Sequence, residues 1–213
     1  MTAPLNPALS AYLDARATEF AAIPDDRRDT LHRLAAYARA HHAEAKPLRM
    51  TFVCTHNSRR SHIAQLAAAA AAKRQGIALD AFSGGTEATA FYPAAVAALR
   101  RAGFGITQTT ALHNAAANPI YHAALTDNPA DTVTCFSKAH DAPPNPTDTF
   151  AAIMVCASAD EACPVVPACD LRIALPYVDP KAADNTPAEA NTYDERTAQI
   201  TRELLYVFTK ATN

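Results

Sequence analysis

The residues best suited to chemistry lie between Met50 and His62. An apolar run of strand type ends abruptly at Cys54 and gives way to a polar loop, Thr55, His56, Asn57, Ser58, Arg59 and Arg60, followed by Ser61. From Ile63 an alanine- and leucine-rich run of helical character takes over. A strand, a tight loop and a helix start aim backbone N–H groups and a helix N-terminus at one small volume. A cysteine at the mouth of such a loop has its thiolate stabilised by the amide dipoles and by Arg60. The same positive field holds a tetrahedral oxyanion against the sulfur. Cys54 therefore reads as a nucleophile aimed at phosphate or a phosphate-shaped anion, with residues 55–60 as its anion-binding loop. A cysteine with an arginine six positions on also describes a buried strand-end cysteine. The strand before it, and Ser61 and the helix pattern after it, favour the nucleophile.

The elements that position this loop follow from the pattern of the chain. Residues 1–47 read as a separate helical extension, with Leu9, Tyr12 and Leu13 on one short segment and a second helix starting at Pro24. The main domain is expected over residues 48–213. Its first strand is Pro47–Val53 and its first helix Ile63–Gln75. A second strand, Ala78–Ser83, is ended by Gly84 and Gly85, and a second helix runs over Ala94–Ala102. Residues 114–149 interrupt the pattern with five prolines; within them Tyr121–Thr126 and Thr132–Ser137 suit a hairpin across residues 128–131, or an irregular surface loop. The third strand, Phe150–Cys156, is continuously apolar, as a central parallel strand should be. A fourth strand, Leu171–Tyr177, precedes a last helix starting near Ala188. Strands alternating with helices predict an α/β three-layer sandwich on a four-stranded parallel sheet, flavodoxin-like, with Cys54 at the carboxyl end of a strand, where such sheets bind ligands.

Composition narrows the function further. With 213 residues and a net charge of −2, the chain has no basic excess for nucleic acid or anionic membrane. No apolar run reaches membrane-spanning length, and the N-terminus lacks the pattern of a signal peptide. Five cysteines, an odd number, suit reactive thiols in a reducing cytoplasm better than a disulfide framework. Cys156, Cys163 and Cys169 contain no pair spaced by two residues, which argues against structural zinc. Cys135 and Cys169 read as inert thiols, with Cys169 an alternative resolving thiol.

The loop resembles that of the low-molecular-weight tyrosine phosphatases and of the arsenate reductases that share their fold: Cys54, Asn57, Arg60 and Ser61 match, while His56 and Arg59 depart from the usual residues. The resemblance covers about residues 48–113 and 150–210. It implies that Asp179, followed by Pro180, is the general acid. Cys156, Ala159, Asp160, Cys163 and Pro164 resemble the third-strand motif of thioredoxin-coupled arsenate reductases. The resemblance then implies that Cys54 attacks arsenate, Cys156 releases arsenite by forming a disulfide with Cys54, and Cys163 resolves it for thioredoxin to reduce. It implies no organic cofactor. Some reductases hold a potassium ion, for which Asn57 and Ser83 match, whereas Gln65 replaces an acidic residue. The competing readings are a phosphomonoester hydrolase with redox-protecting cysteines, and a non-catalytic anion-binding or redox-sensing protein.

Overall fold

In the computed structural model the described residues are 3–109, 117–129, 131–163 and 165–213. Two helices come first. α1, Pro7–Ala17, is capped by the Asn6 side chain, which accepts from Leu9 N at 2.9 Å. α2, Asp25–Ala43, carries Asp25 and Asp26 in its first turn and His41 and His42 in its last, the order that suits the helix dipole. The chain continues through β1 (Arg49–Cys54), α3 (Arg60–Arg74), β2 (Asp80–Gly85), α4 (Pro93–Arg101), β3 (Gly105–Gln108), β4 (Tyr121–Ala124) and β5 (Thr132–Cys135). It closes with β6 (Ala151–Met154), α5 (Ala157–Ala162), β7 (Leu171–Ala174) and α6 (Glu189–Ala211).

β2, β1, β6 and β7 form, in that order, an all-parallel sheet flanked by helices, the flavodoxin-like arrangement expected from the strand pattern. β1 and β6 are its central pair, and both are buried almost throughout. From β1 the chain crosses to β2 on one side, and β6 leads to β7 on the other. The crevice where such a sheet binds ligands therefore opens beyond the carboxyl ends of β1 and β6. Cys54 and Cys156 both lie there. α3 is buried from Ser61 to Ala72. Its run of alanines lets α6 and the sheet approach it closely, which bulkier side chains would prevent.

α6 packs against α1, α2, α3 and α4. The apolar stripes of the N-terminal helices are thus covered by this chain itself. Leu9, Leu13, Leu31 and Leu34 are each 0 % exposed, and their burial contributes on the order of 8 kcal/mol before ordering costs are counted.

The hairpin within the interruption forms: β4 and β5 pair antiparallel, Tyr121 opposite Cys135. β3 joins them as a third strand, a segment without a clear strand pattern, since Ile106 is its one buried residue. Of the sequence-level assignments here, Asn114 and the turn residue Ala130 lie outside the described residues, as does Pro164. The segment returning from this sheet docks on the end of β2: Gly85 N donates to Lys138 O and His140 N to Gly85 O, both at 2.9 Å. A Cβ on Gly84 would fall 2.3 Å from His140 Cα, and one on Gly85 2.7 Å from Asn57 N. Both positions need glycine because other backbone passes against them.

Candidate active site

β1 delivers Cys54 to the crevice, where it is 3 % exposed. The loop after it turns back sharply, with Asn57 at φ 43°. That left-handed conformation suits asparagine, whose short side chain bonds locally. Asn57 Nδ2 donates to Ser61 Oγ at 2.8 Å, and Asn57 Oδ1 accepts from Lys138 N at 2.9 Å. Ser61 Oγ, already accepting from Asn57, lies 3.1 Å from Cys54 Sγ. Its own hydrogen is thereby free to be donated to the sulfur.

The rest of the loop is held through its backbone. Thr55 O accepts from Glu87 N, His56 O from Thr89 Oγ1 and Ser137 Oγ, and Ser58 O from Tyr92 N. The segment returning from the β3–β5 sheet thus supports the back of the loop. None of the residues lining the cavity at Cys54 belongs to it; those are Cys54, His56, Ser58, Arg59, Arg60 and Asp179.

The two loop arginines behave differently. Arg60 opens α3; its Nη1 donates to Tyr177 O at 2.9 Å and its Nη2 to Asp179 Oδ2 at 2.5 Å, while its buried Nε has no partner. Arg59 also lines the cavity, yet its guanidinium is engaged elsewhere. Nε donates to Tyr193 Oη at 2.6 Å, Nη2 to Asp184 Oδ2, and the group sits 3.9 Å over the Tyr92 ring. His56 is half-exposed and lies 3.7 Å from the Glu87 carboxylate. Asp179 caps the 3-10 turn Pro180–Ala183 by accepting from Lys181 N at 3.0 Å, so its carboxylate is fixed from both sides. With the Arg60–Asp179 pair closed, the cavity volume is about 10 Å³, roughly the space of one water.

Cys156, one strand over, is 1 % exposed and caps α5 by accepting from Ala159 N at 3.3 Å. Its sulfur is 3.5 Å from Thr55 Oγ1. Cys163 is half-buried at the other end of α5, 3.7 Å from His140 Nε2, and burial raises its thiol pKa against the opposing field of Arg172. Arg172 fastens the helix by donating to Asp160 O, Asp160 Oδ1 and Cys163 O. All five cysteines are free thiols. Burial pushes Cys135 up to about 12, as suits an inert core thiol. Cys169 is also raised by burial, though it is only half-buried.

Behind the loop is a polar interior that the sequence did not signal. His62, fully buried and stacked 4.1 Å from the Phe91 ring, pairs with Ser83 Oγ at 3.1 Å. Burial, and then the Lys138 cation, lower its pKa to about 3. Lys138 is itself lowered to about 8 by burial. His62 stands out in an apolar helix start and could have been noticed; nothing marks Lys138. The residues matched for a potassium ion are engaged within the protein. The Asn57 oxygen is taken by Lys138 N, Ser83 Oγ by His62, and Gln65 Nε2 donates to Ala81 O, while the Lys138 charge acts on His62. Among the described residues no cluster of His, Cys, Asp and Glu could hold a metal, and no helix is long and apolar enough to cross a membrane.

No protein-family model matches the chain, and no curated protein is similar to it in sequence. Solved structures do resemble it. A mutant of YwlE from Bacillus subtilis aligns over 78 % of this chain and 99 % of its own, at 16 % identity and a TM-score of 0.49. The low-molecular-weight protein tyrosine phosphatase of T. tengcongensis aligns over 76 % and 96 %, at 20 % identity and a TM-score of 0.46. The thioredoxin-dependent arsenate reductase of Corynebacterium glutamicum aligns over 93 % and 84 %, at 18 % identity and a TM-score of 0.40. All three are likenesses of backbone path, and none extends to activity.

Proposed function

We propose that the chain reduces arsenate to arsenite through Cys54, Cys156 and Cys163. One observation favours this over hydrolysis: a second thiol, Cys156, is buried with its sulfur 3.5 Å from the side chain of Thr55, the residue next to the nucleophile. Hydrolysis of a cysteine-bound oxyanion needs water and has no use for that thiol.

In this reading the anion enters by replacing Asp179 on Arg60, since the closed cavity is too small for a tetrahedral oxyanion. The unpartnered Arg60 Nε is a donor suited to it. A dianion beside Asp179 favours the protonated carboxyl, the form a general acid needs. Cys54 thiolate attacks arsenic, forming the S–As bond, and Asp179 gives its proton to the departing oxygen. Cys156 thiolate then attacks Cys54 Sγ. The S–S bond forms, the electron pair of the S–As bond passes to arsenic, and arsenite leaves. Cys163 attacks Cys156 Sγ and frees Cys54 as a thiolate. The Cys156–Cys163 disulfide is returned to two thiols by a dithiol reductant of the thioredoxin class.

The last exchange requires movement. Cys156 and Cys163 cap opposite ends of α5, roughly 10 Å apart at the helical rise. A disulfide needs Cα atoms within about 7 Å, so α5 must unwind.

The test is arsenate-dependent NADPH consumption with thioredoxin and thioredoxin reductase, run beside p-nitrophenyl phosphate hydrolysis. Turnover on arsenate lost in Cys54→Ser, Cys156→Ser and Cys163→Ser supports the cascade; hydrolysis alone, lost only in Cys54→Ser, overturns it. The second reading, a phosphomonoester hydrolase, draws on the same nucleophile, anion loop and carboxyl, Cys54, Arg60 and Asp179, which line one cavity and would serve ester hydrolysis as well. A protein with neither turnover that still forms a disulfide would be a sensor.

A further inference from the structure

The segment that carries Asp179 is gripped from two sides. Arg60 holds it from the anion loop, through Tyr177 O and the Asp179 carboxylate. From the opposite end of the sequence comes Arg27, in the first turn of α2. Its Nη1 donates to Pro176 O at 3.1 Å, and its guanidinium carbon lies 4.9 Å from the centre of the Tyr177 ring. Its remaining donors form a two-pronged pair with Glu203 on α6, Nε to Oε1 at 3.0 Å and Nη2 to Oε2 at 2.6 Å. Glu203 is 0 % exposed and accepts also from Gln199 Nε2 at 3.1 Å.

A carboxylate taken wholly out of water is costly unless it is paired and hydrogen-bonded. Here the pairing fixes the guanidinium plane, which leaves its third nitrogen, Nη1, to donate to Pro176 O and one face to lie over the Tyr177 ring. The geometry is specific to arginine. A lysine keeps the charge opposite Glu203 but cannot form the fork and stack on the ring at once. Both anchors of residues 175–177 to the sheet, Leu175 N to Met154 O and Tyr177 N to Val155 O, stop two residues short of Asp179. Val178, between, is 71 % exposed. Between these anchors and the buried turn that Asp179 caps, the two arginines grip the chain.

We infer that Arg27 is a positioning residue for Asp179, and that the N-terminal helices serve the site by this route. The inference rests on the reading of Asp179 as the general acid. When an oxyanion draws Arg60 away from Asp179, the grip of Arg60 on the carboxylate is lost. Arg27 does not touch the anion, and it keeps residues 176 and 177 in place through that exchange. The carboxyl then stays within reach of the departing oxygen, where small displacements are expensive in rate.

The test uses the full chain. Arg27→Met alone would strand the Glu203 charge and risk unfolding. The informative variants are therefore Arg27→Lys, and the double variant Arg27→Met with Glu203→Met, which removes both charges together. Asp179→Asn is the reference. The rates compared are those on 2,4-dinitrophenyl phosphate, whose leaving group needs no proton, and phenyl phosphate, whose leaving group does. Amide exchange over residues 176–181, with and without inorganic phosphate, is measured alongside; it needs no activity and decides alone if neither ester is turned over.

In Asp179→Asn, kcat/KM should fall about 100-fold on phenyl phosphate and only a few-fold on the dinitrophenyl ester. Both Arg27 variants should show the same selectivity at about tenfold, leave the Kd for inorganic phosphate within about twofold, and exchange faster over 176–181 when phosphate is bound. Equal losses on the two esters, weakened phosphate binding, or unchanged exchange overturns the inference. If Asp179→Asn shows no selectivity, the acid itself is misassigned and the inference falls with it. Selectivity in Asp179→Asn without it in the Arg27 variants removes Arg27 alone.

Discussion

Cys54 ends β1 and Cys156 follows its neighbour β6 by two residues, but the segments after them are held differently. After Cys54, the Asn57 side chain is committed at both ends, and backbone or side-chain donors from two other parts of the chain, residues 87–92 and Ser137, hold the carbonyls of Thr55, His56 and Ser58. The loop then runs into α3, which is buried on all sides. After Cys156 comes a six-residue helix in which Ala159 is the one buried residue, far below the length at which a helix persists by itself. Arg172 is its main fastening. A site that must present donors to an oxyanion gains from rigidity, because donors fixed in advance need no reorganisation. A thiol whose partner lies about 10 Å away along the helix needs the reverse. The two segments divide the chemistry along that line.

The comparison can be broken most severely at Cys54. Cys54→Ser should abolish both arsenate turnover and ester hydrolysis, by about a thousandfold or more, with a Tm close to that of the parent chain. Appreciable residual activity in either assay would move the nucleophile elsewhere.

Asn57→Ala tests the rigid side. It removes the link between Ser61 and the segment carrying Lys138, leaving the buried Lys138 N–H unsatisfied. Chemical denaturation should show a loss of about 2 kcal/mol, and kcat/KM should drop about 10- to 100-fold. A stable variant with normal kinetics would mean that the loop does not depend on this brace.

His62 tests the interior behind that loop through pH. Its folded pKa, about 3, lies below the ordinary histidine value of 6.5. Below pH 6.5 the unfolded chain therefore binds a proton that the folded chain refuses. Stability attributable to His62 is whole above pH 6.5 and is lost as the pH falls toward 3, by about 2–3 kcal/mol at pH 4.5. His62→Gln should flatten this acid slope in denaturation curves taken between pH 7 and 4.5. An unchanged slope would place the acid sensitivity in other groups.

Arg172→Met acts on the loose side and has the smallest effect. Losing its three donors to α5 should cost about 1 kcal/mol, leave ester hydrolysis within about twofold, and speed formation of the Cys156–Cys163 disulfide in rapid-quench experiments. Slower formation would mean that the helix must stay wound for exchange.

Much of the frame was legible in the chain because it is local. The continuous apolar runs ending near Cys54 and Cys156 mark central parallel strands, and the turn from apolar strand to polar loop at Cys54 marks the site. Three kinds of feature were not legible. β3 has one inward side chain and pairs with a strand beyond an undescribed stretch, so it leaves no periodic trace. α5 is too short to show a period, and its spacing read as a motif rather than a helix. The contacts that set side-chain roles are long-range: Arg27 with Glu203, Asn57 with Lys138, and Arg59 with Asp184 and Tyr193. Arg59 shows the consequence. Its place in the loop suggested an anion ligand, while its guanidinium is neutralised by a carboxylate over a hundred residues on.

The most direct test of the central claim is a single turnover without reductant. The reduced protein is mixed with arsenate, free thiols are alkylated, arsenite is counted, and disulfides are mapped by mass spectrometry. The account predicts one arsenite per chain and a Cys156–Cys163 disulfide in the parent chain, with a Cys54–Cys156 disulfide trapped in Cys163→Ser. No arsenite, or arsenite without a disulfide at Cys156, would contradict it.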